Sequence, residues 1–199
     1  MSSSALSAPL HQRRPLVLAD LVPGTVARDV LLVLGGAALT GLLAQVAIPV
    51  AGSPVPVTGQ TFAVMTVGAA LGWRRGLAAM ALYLVAGVAG VPWFAGGASG
   101  FAMASFGYVL GFVLAAAIVG VVASRGGDRN PLPTIGTMVL GNAVVYAVGV
   151  PWLMASLHVG LAKGWELGMS HYLLGDALKI ALAAGILPVV WRVTDRLHR

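Results

Sequence analysis

GLAAMALYLVAGVAGVPWFAGGASGFAMASFGYVLGFVLAAAIVGVVAS, residues 76–124, runs for 49 residues without one Asp, Glu, Lys or Arg. A helix needs about 20 apolar residues to cross a bilayer, so the stretch holds two crossings around a Pro/Gly-rich middle. The run before it, 30–73, is uncharged for 44 residues and holds two more. Across all 199 residues, 58% are hydrophobic and 9% charged, against about 25% charged in an ordinary soluble domain. Such a chain cannot cover a soluble surface. A soluble enzyme, a disordered chain and a nucleic-acid-binding domain are excluded, and the length suits one polytopic membrane domain.

Six apolar spans follow: about Val30–Pro49, Thr58–Gly72, Gly76–Val91, Phe101–Ala123, Leu132–Ala155 and His171–Trp191. The fold class is an all-α integral membrane protein. Barrel strands alternate polar and apolar residues, and these runs are apolar on all sides. Residues 1–29 read as a cytoplasmic N-terminal tail, 30–191 as the membrane domain and 192–199 as a cytoplasmic C-terminal tail. Arg13-Arg14 is not followed directly by the apolar region of an export signal. Ten of the twelve Lys and Arg residues fall in the tails and in the loops around Arg74-Arg75 and Arg125–Arg129. The opposite loops, 50–57, 92–100 and 156–170, hold only Lys163. This asymmetry orients both termini to the cytoplasm and accounts for the net charge of +6 without an anionic partner.

Two of the external loops carry no charge. One reads Pro49-Val-Ala-Gly-Ser-Pro-Val-Pro-Val-Thr-Gly-Gln60 and the other Val91-Pro-Trp-Phe-Ala-Gly-Gly-Ala-Ser-Gly100. Proline fixes φ and glycine admits conformations closed to other residues, so both loops are expected to form defined lids over a cavity. Asp176 and Lys179 are the two charges inside a span. Each costs several kcal/mol near mid-membrane unless it is paired or faces a cavity, and their i,i+3 spacing puts them on one helix face with Tyr172. Asn142, Tyr146 and Gly149 form one stripe on span five. Ser105, Tyr108 and Phe112 form another on span four, and Tyr83, Gly87 and Gly90 a third on span three. Gln60 and Thr61 add an amide and a hydroxyl. These groups describe a small dipolar pocket with aromatic walls, suited to a compact solute of amide-like polarity. Span one is dense in small residues, with Ala37, Gly41 and Ala44 among them; that spacing serves either external helix docking or internal packing.

There is no cysteine, so disulfides and thiolate chemistry are excluded. The four histidines share no ligand spacing with a carboxylate, and no metal site is expected. No Gly-rich phosphate loop with a following Lys and Ser/Thr is present, so energy for any transport must come from a partner or a gradient.

Several blocks together resemble the BioY family, the biotin-binding S components of energy-coupling factor (ECF) vitamin transporters. They are Pro54–Thr61, Tyr83–Gly97, Gly107–Phe112, Gly141–Leu153 and Gly175–Lys179. Trp93 departs from the smaller aliphatic residue expected there. The resemblance implies a six-helix, multi-pass protein of the prokaryotic plasma membrane that binds biotin externally and is not an enzyme. It implies no catalytic residue, no metal, no cofactor and no nucleic acid. Its partners would be an ECF T component with two ATPase subunits, or further copies of itself, with Ala37, Gly41 and Ala44 as the docking surface. The implied site has Asp176 accepting a ureido N–H, Lys179 or Tyr146 donating to the ureido oxygen, and Asn142 and Gln60 completing the network. Trp93, Phe94 and Tyr108 would cover the apolar ring, with Tyr83 beside them and Gly96 and Gly97 allowing the lid to approach. The ligand carboxylate would meet either Lys163 or water. The alternatives are an S component for thiamin or riboflavin, or an intramembrane serine hydrolase using Ser99 in Gly97-Ala-Ser-Gly100 with His171.

Overall fold

The computed structural model describes residues 17–197; His11, Arg13-Arg14 and His198 lie outside them. The helices are α1 (Val26–Ala44), α2 (Gln60–Val88), α3 (Phe106–Ser124), α4 (Pro131–Leu157), α5 (Leu161–Gly168) and α6 (Leu173–Leu197). Among the described residues, four segments are long and apolar enough to cross a membrane: Val26–Ala44, Phe106–Ser124, Pro131–Leu157 and Leu161–Leu197. The second and third expected spans are the two arms of α2. Gly72 (φ +79°, ψ 173°) breaks the helix between them, a conformation L side chains rarely adopt. The arms fold back on each other. A Cβ on Gly76 would lie 3.1 Å from Gly68 Cα, and Gln60 Nε2 reaches the Tyr83 hydroxyl at 2.8 Å. A straight helix would hold those last two residues about 35 Å apart.

α2 packs on α1 and α3, α3 on α4, and α4 on α5 and α6. Small residues permit the closest of these approaches: a Cβ on Gly68 would meet the Ala116 carbonyl at 2.7 Å. Van der Waals contact of this kind replaces the hydrophobic drive that helices lack in lipid. The small residues of α1 serve the same purpose. Ala37, Gly41 and Ala44 are buried, a Cβ on Gly36 would lie 3.0 Å from Val67 Cγ1, and one on Gly41 would lie 3.2 Å from the Trp93 ring. The expected docking stripe is therefore turned inward; Leu31, Leu34 and Leu42 form the exposed face of α1.

Three local features were not expected. The first loop is a small hairpin, with strands β1 (Ala47–Ile48) and β2 (Val57–Thr58) antiparallel in register Ala47↔Thr58. The segment 156–170, read as a loop, contains α5. And α1 begins at Val26, inside the segment read as tail, after a short 3-10 turn at Leu18–Leu21. Asp20 and Asp29 both bond Arg75, at 3.0 and 3.1 Å, tying this entry to the end of the α2 hairpin.

Candidate functional site

The cavity lies among α2, α3, α4 and α6 under the two loops, with about 610 Å3 of atom-free space including its opening to solvent. Asp176 and Lys179 line it from α6, Tyr146 from α4, Gln60 and Thr61 from the start of α2, and Tyr108 and Phe112 from α3. Phe94 enters from the second loop. One turn of α6 brings Lys179 Nζ to 3.3 Å from Asp176 Oδ1, as their i,i+3 spacing predicts. Lys179 also donates to Thr61 Oγ1 at 2.8 Å, and the Tyr146 hydroxyl donates to Asp176 Oδ2. Asp176 is 5% exposed, so a lone carboxylate there would be costly, and these two donors are what sustain it.

Around this centre lies a layer of polar contacts that hold the wall in place. Thr58 Oγ1 donates to Gln60 Oε1 at 2.9 Å, while Gln60 Nε2 donates to the Tyr83 hydroxyl. That hydroxyl donates in turn to the Trp93 carbonyl at 3.1 Å. Gln45 Nε2 at the end of α1 lies 3.2 Å from the same carbonyl and 3.3 Å from that of Phe94. The Tyr172 hydroxyl contacts Ser53 Oγ at 2.8 Å and donates to the Val55 carbonyl at 2.6 Å, fastening the first loop to the 3-10 turn Ser170–Tyr172 that leads into α6. Two glycines make room for the aromatic wall. A Cβ on Gly87 would fall 2.1 Å from Phe94 Cζ, and one on Gly149 would fall 2.4 Å from Tyr108 Cδ1.

Not every expected residue reaches the cavity. Trp93 turns away from it, donating Nε1 to the Tyr83 carbonyl at 2.9 Å and packing on Gly41. Tyr83 is fully buried behind Gln60. Gly96 and Gly97 shape the lid turn at Ala95–Gly97 with φ of +66° and +75°, and Ala95 is the turn residue that faces inward. Asn142 lines a smaller adjoining space, shared with Thr61 and Lys179, and its buried Oδ1 has no hydrogen-bond partner. The cavity adds Val55, Pro56, Val57, Met103, Val109 and Val145, which the sequence reading left out of the site. These are apolar residues in an apolar chain, and no periodicity separates them from the rest of the core; the Pro54–Val57 segment was the available signal. His171 Nδ1 lies 2.6 Å from the Glu166 carbonyl and makes no hydrogen bond with Ser99.

A carboxylate, an ammonium and a phenol now converge in a wall of uncharged and aromatic groups. The carboxylate keeps lone pairs free to accept N–H groups, and the ammonium keeps a proton free to donate to a carbonyl. That combination, on a bundle of apolar helices, defines a small-molecule-binding membrane protein. The BioY family model matches residues 11–196, and the chain belongs to that family. Similar relatives include a probable biotin transporter BioY from Pyrococcus horikoshii, 33% identical over 79% of this chain and 92% of that protein. Another is biotin transporter BioY2 of Lactococcus lactis subsp. cremoris, 34% identical over 74% and 81% of the two chains. The solved S-component for biotin from an ECF-type ABC transporter shares the fold, with a TM-score of 0.75 at 22% identity over 84% of this chain and 92% of that one.

Proposed function

We propose that this chain is the substrate-binding membrane subunit of a vitamin transporter, and that it takes up biotin from the external side of a prokaryotic plasma membrane. The names of its relatives support that reading, and one observation carries it to the residues: Asp176, Lys179 and Tyr146 meet at one point of an otherwise uncharged, aromatic cavity. A ureido ring presents two N–H donors and a carbonyl. Asp176 accepts one N–H, and the free proton of Lys179 donates to the carbonyl oxygen; the Tyr146 hydroxyl would take that place only by giving up its bond to Asp176. Phe94, Tyr108 and Phe112 cover the apolar thioether ring. Gln60 and Asn142 act from the sides, the first on the wall and the second beside Lys179. Tyr83, Trp93, Gly96 and Gly97 shape the wall from behind.

In this reading the two arms of α2 count as two of six crossings, both termini are cytoplasmic, and the two external loops are lids. Transport runs with an ECF T component and two ATPase subunits, or with further copies of the chain. A partner on α1 would meet Leu31, Leu34 and Leu42, since Ala37, Gly41 and Ala44 are buried.

Calorimetric titration of the detergent-purified chain with biotin, thiamin and riboflavin tests the assignment. Saturable binding of biotin alone is expected. Thiamin is cationic and would sit beside Lys179, so preferential binding of thiamin overturns the reading.

A further inference from the structure

Resting on the biotin reading, we infer that the cavity recognises only the neutral head of the ligand, leaving its carboxylate in water. Neutral amides and esters of the ligand are then substrates as good as the acid.

Both lid loops lie inside the uncharged runs 30–73 and 76–124, so neither can bring a cation to the cavity mouth. Of the cavity's half-buried lining residues Lys179 alone is charged, and those the loops contribute, Pro56, Thr58, Ala95 and Met103, are not. The cavity's charged side chains are Asp176 and Lys179, which already pair with each other. A ligand carboxylate drawn inside would place two anions against one ammonium in a poorly hydrated site, an arrangement that desolvation disfavours.

The remaining external base is also committed. Lys163 does not line the cavity; its side chain is 51% exposed, and Nζ bonds Glu166 Oε1 and Oε2 at 2.9 and 3.0 Å. Nor do His158 and His171 line it. Ser105 can offer the tail a hydrogen bond, which an amide or ester accepts as readily as an acid. Water is therefore the better partner for the carboxylate, and the specificity of the site lies in the ureido head.

Titration of the purified full-length chain with biotin, biotinamide and biotin methyl ester reads this directly. The three dissociation constants should agree within about threefold, because a lost charge-assisted hydrogen bond would cost about tenfold or more. Lys163→Met should leave biotin affinity unchanged. Biotin affinity should also hold steady between about 50 mM and about 500 mM salt, where a surface ion pair would be screened. A tenfold or greater loss on amidation, or on Lys163→Met, overturns the inference while leaving the biotin assignment standing. Failure of biotin itself to bind overturns the assignment instead.

Discussion

Lys179 Nζ sits between Asp176 Oδ1, 3.3 Å away on the same helix, and Thr61 Oγ1, 2.8 Å away at the start of α2. One ammonium thus joins α6 to the α2 hairpin and neutralises the carboxylate at the centre of the cavity. Breaking such a pair costs more than deleting it, because the partner is left as a buried, uncompensated charge. Lys179→Met is expected to destabilise the protein by about 3 kcal/mol. The double variant Asp176→Asn/Lys179→Met should recover most of that loss in thermal unfolding while still failing to bind biotin. A double variant less stable than Lys179→Met would show that the pair contributes net stability.

Gly149 tests whether the aromatic wall is set by room rather than by side-chain chemistry. A Cβ there falls 2.4 Å from Tyr108 Cδ1, whereas one on Gly185 meets nothing within 4 Å. Gly149→Ala must displace the Tyr108 ring, and Tyr108 OH donates to the Gly168 carbonyl at 2.7 Å. About a tenfold loss of biotin affinity is expected, on the order of the 1–3 kcal/mol that overpacking costs. Gly185→Ala should bind normally. Equal behaviour of the two variants in the same titration would contradict the placement of Tyr108.

Much of this was legible in the sequence, for reasons that particular residues make plain. Scarcity of charge marked the helices, and its exceptions, Asp176 and Lys179, marked the cavity, because both signals are one-dimensional. The break after span two was also visible, at Gly72. What the sequence could not show was direction. Gly41 and Ala44 promise a close approach without naming the neighbour, and that neighbour is internal. Trp93 sits in a loop, where no period assigns a face; its ring is drawn to Gly41 and the Tyr83 carbonyl, away from the cavity. Tyr83 shares a helix face with glycines that invite packing, yet its role is to hold Gln60 and the backbone of the second loop.

That role of Tyr83 is open to test. Tyr83→Phe keeps the ring contacts with Trp93 and Phe94, at 5.1 and 5.2 Å between centroids, and removes two hydrogen bonds. The loss should be about 1–2 kcal/mol of stability, since a buried partner left unsatisfied costs about that much. Biotin binding should weaken only about threefold, Gln60 keeping its bond from Thr58. Full loss of binding would place the Tyr83 hydroxyl on the ligand itself.

The connection between α3 and α4 offers a pH test. Asp128, in the connection between α3 and α4, is fully buried and accepts a hydrogen bond from Trp191 Nε1 at 2.8 Å. Burial raises its pKa above the ordinary 3.8, only partly offset by the Trp191 hydrogen bond and the charge of Arg129. The folded chain therefore holds this proton more tightly than the unfolded one. Its stability contribution is greatest below the unfolded value and declines as pH rises towards the folded value. Asp128→Asn keeps the acceptor for Trp191 and removes the titration. Melting temperatures of the two proteins, compared from about pH 4 to about pH 7, should shift in favour of Asp128→Asn as pH rises. A shift in favour of the parent protein would mean that the ionised carboxylate is stabilised in the fold.

In the proposed site Asp176 accepts a ureido N–H of biotin, and one titration tests that contact. Asparagine offers one accepting oxygen where Asp176 offers two, and no charge, so Asp176→Asn loses a charge-assisted hydrogen bond worth about 1.5–3 kcal/mol. The biotin dissociation constant of the purified variant should rise by about tenfold to a hundredfold, with its elution profile still that of a folded chain and its melting temperature lowered by the unpaired Lys179. Unchanged biotin affinity in a folded Asp176→Asn protein would contradict the account.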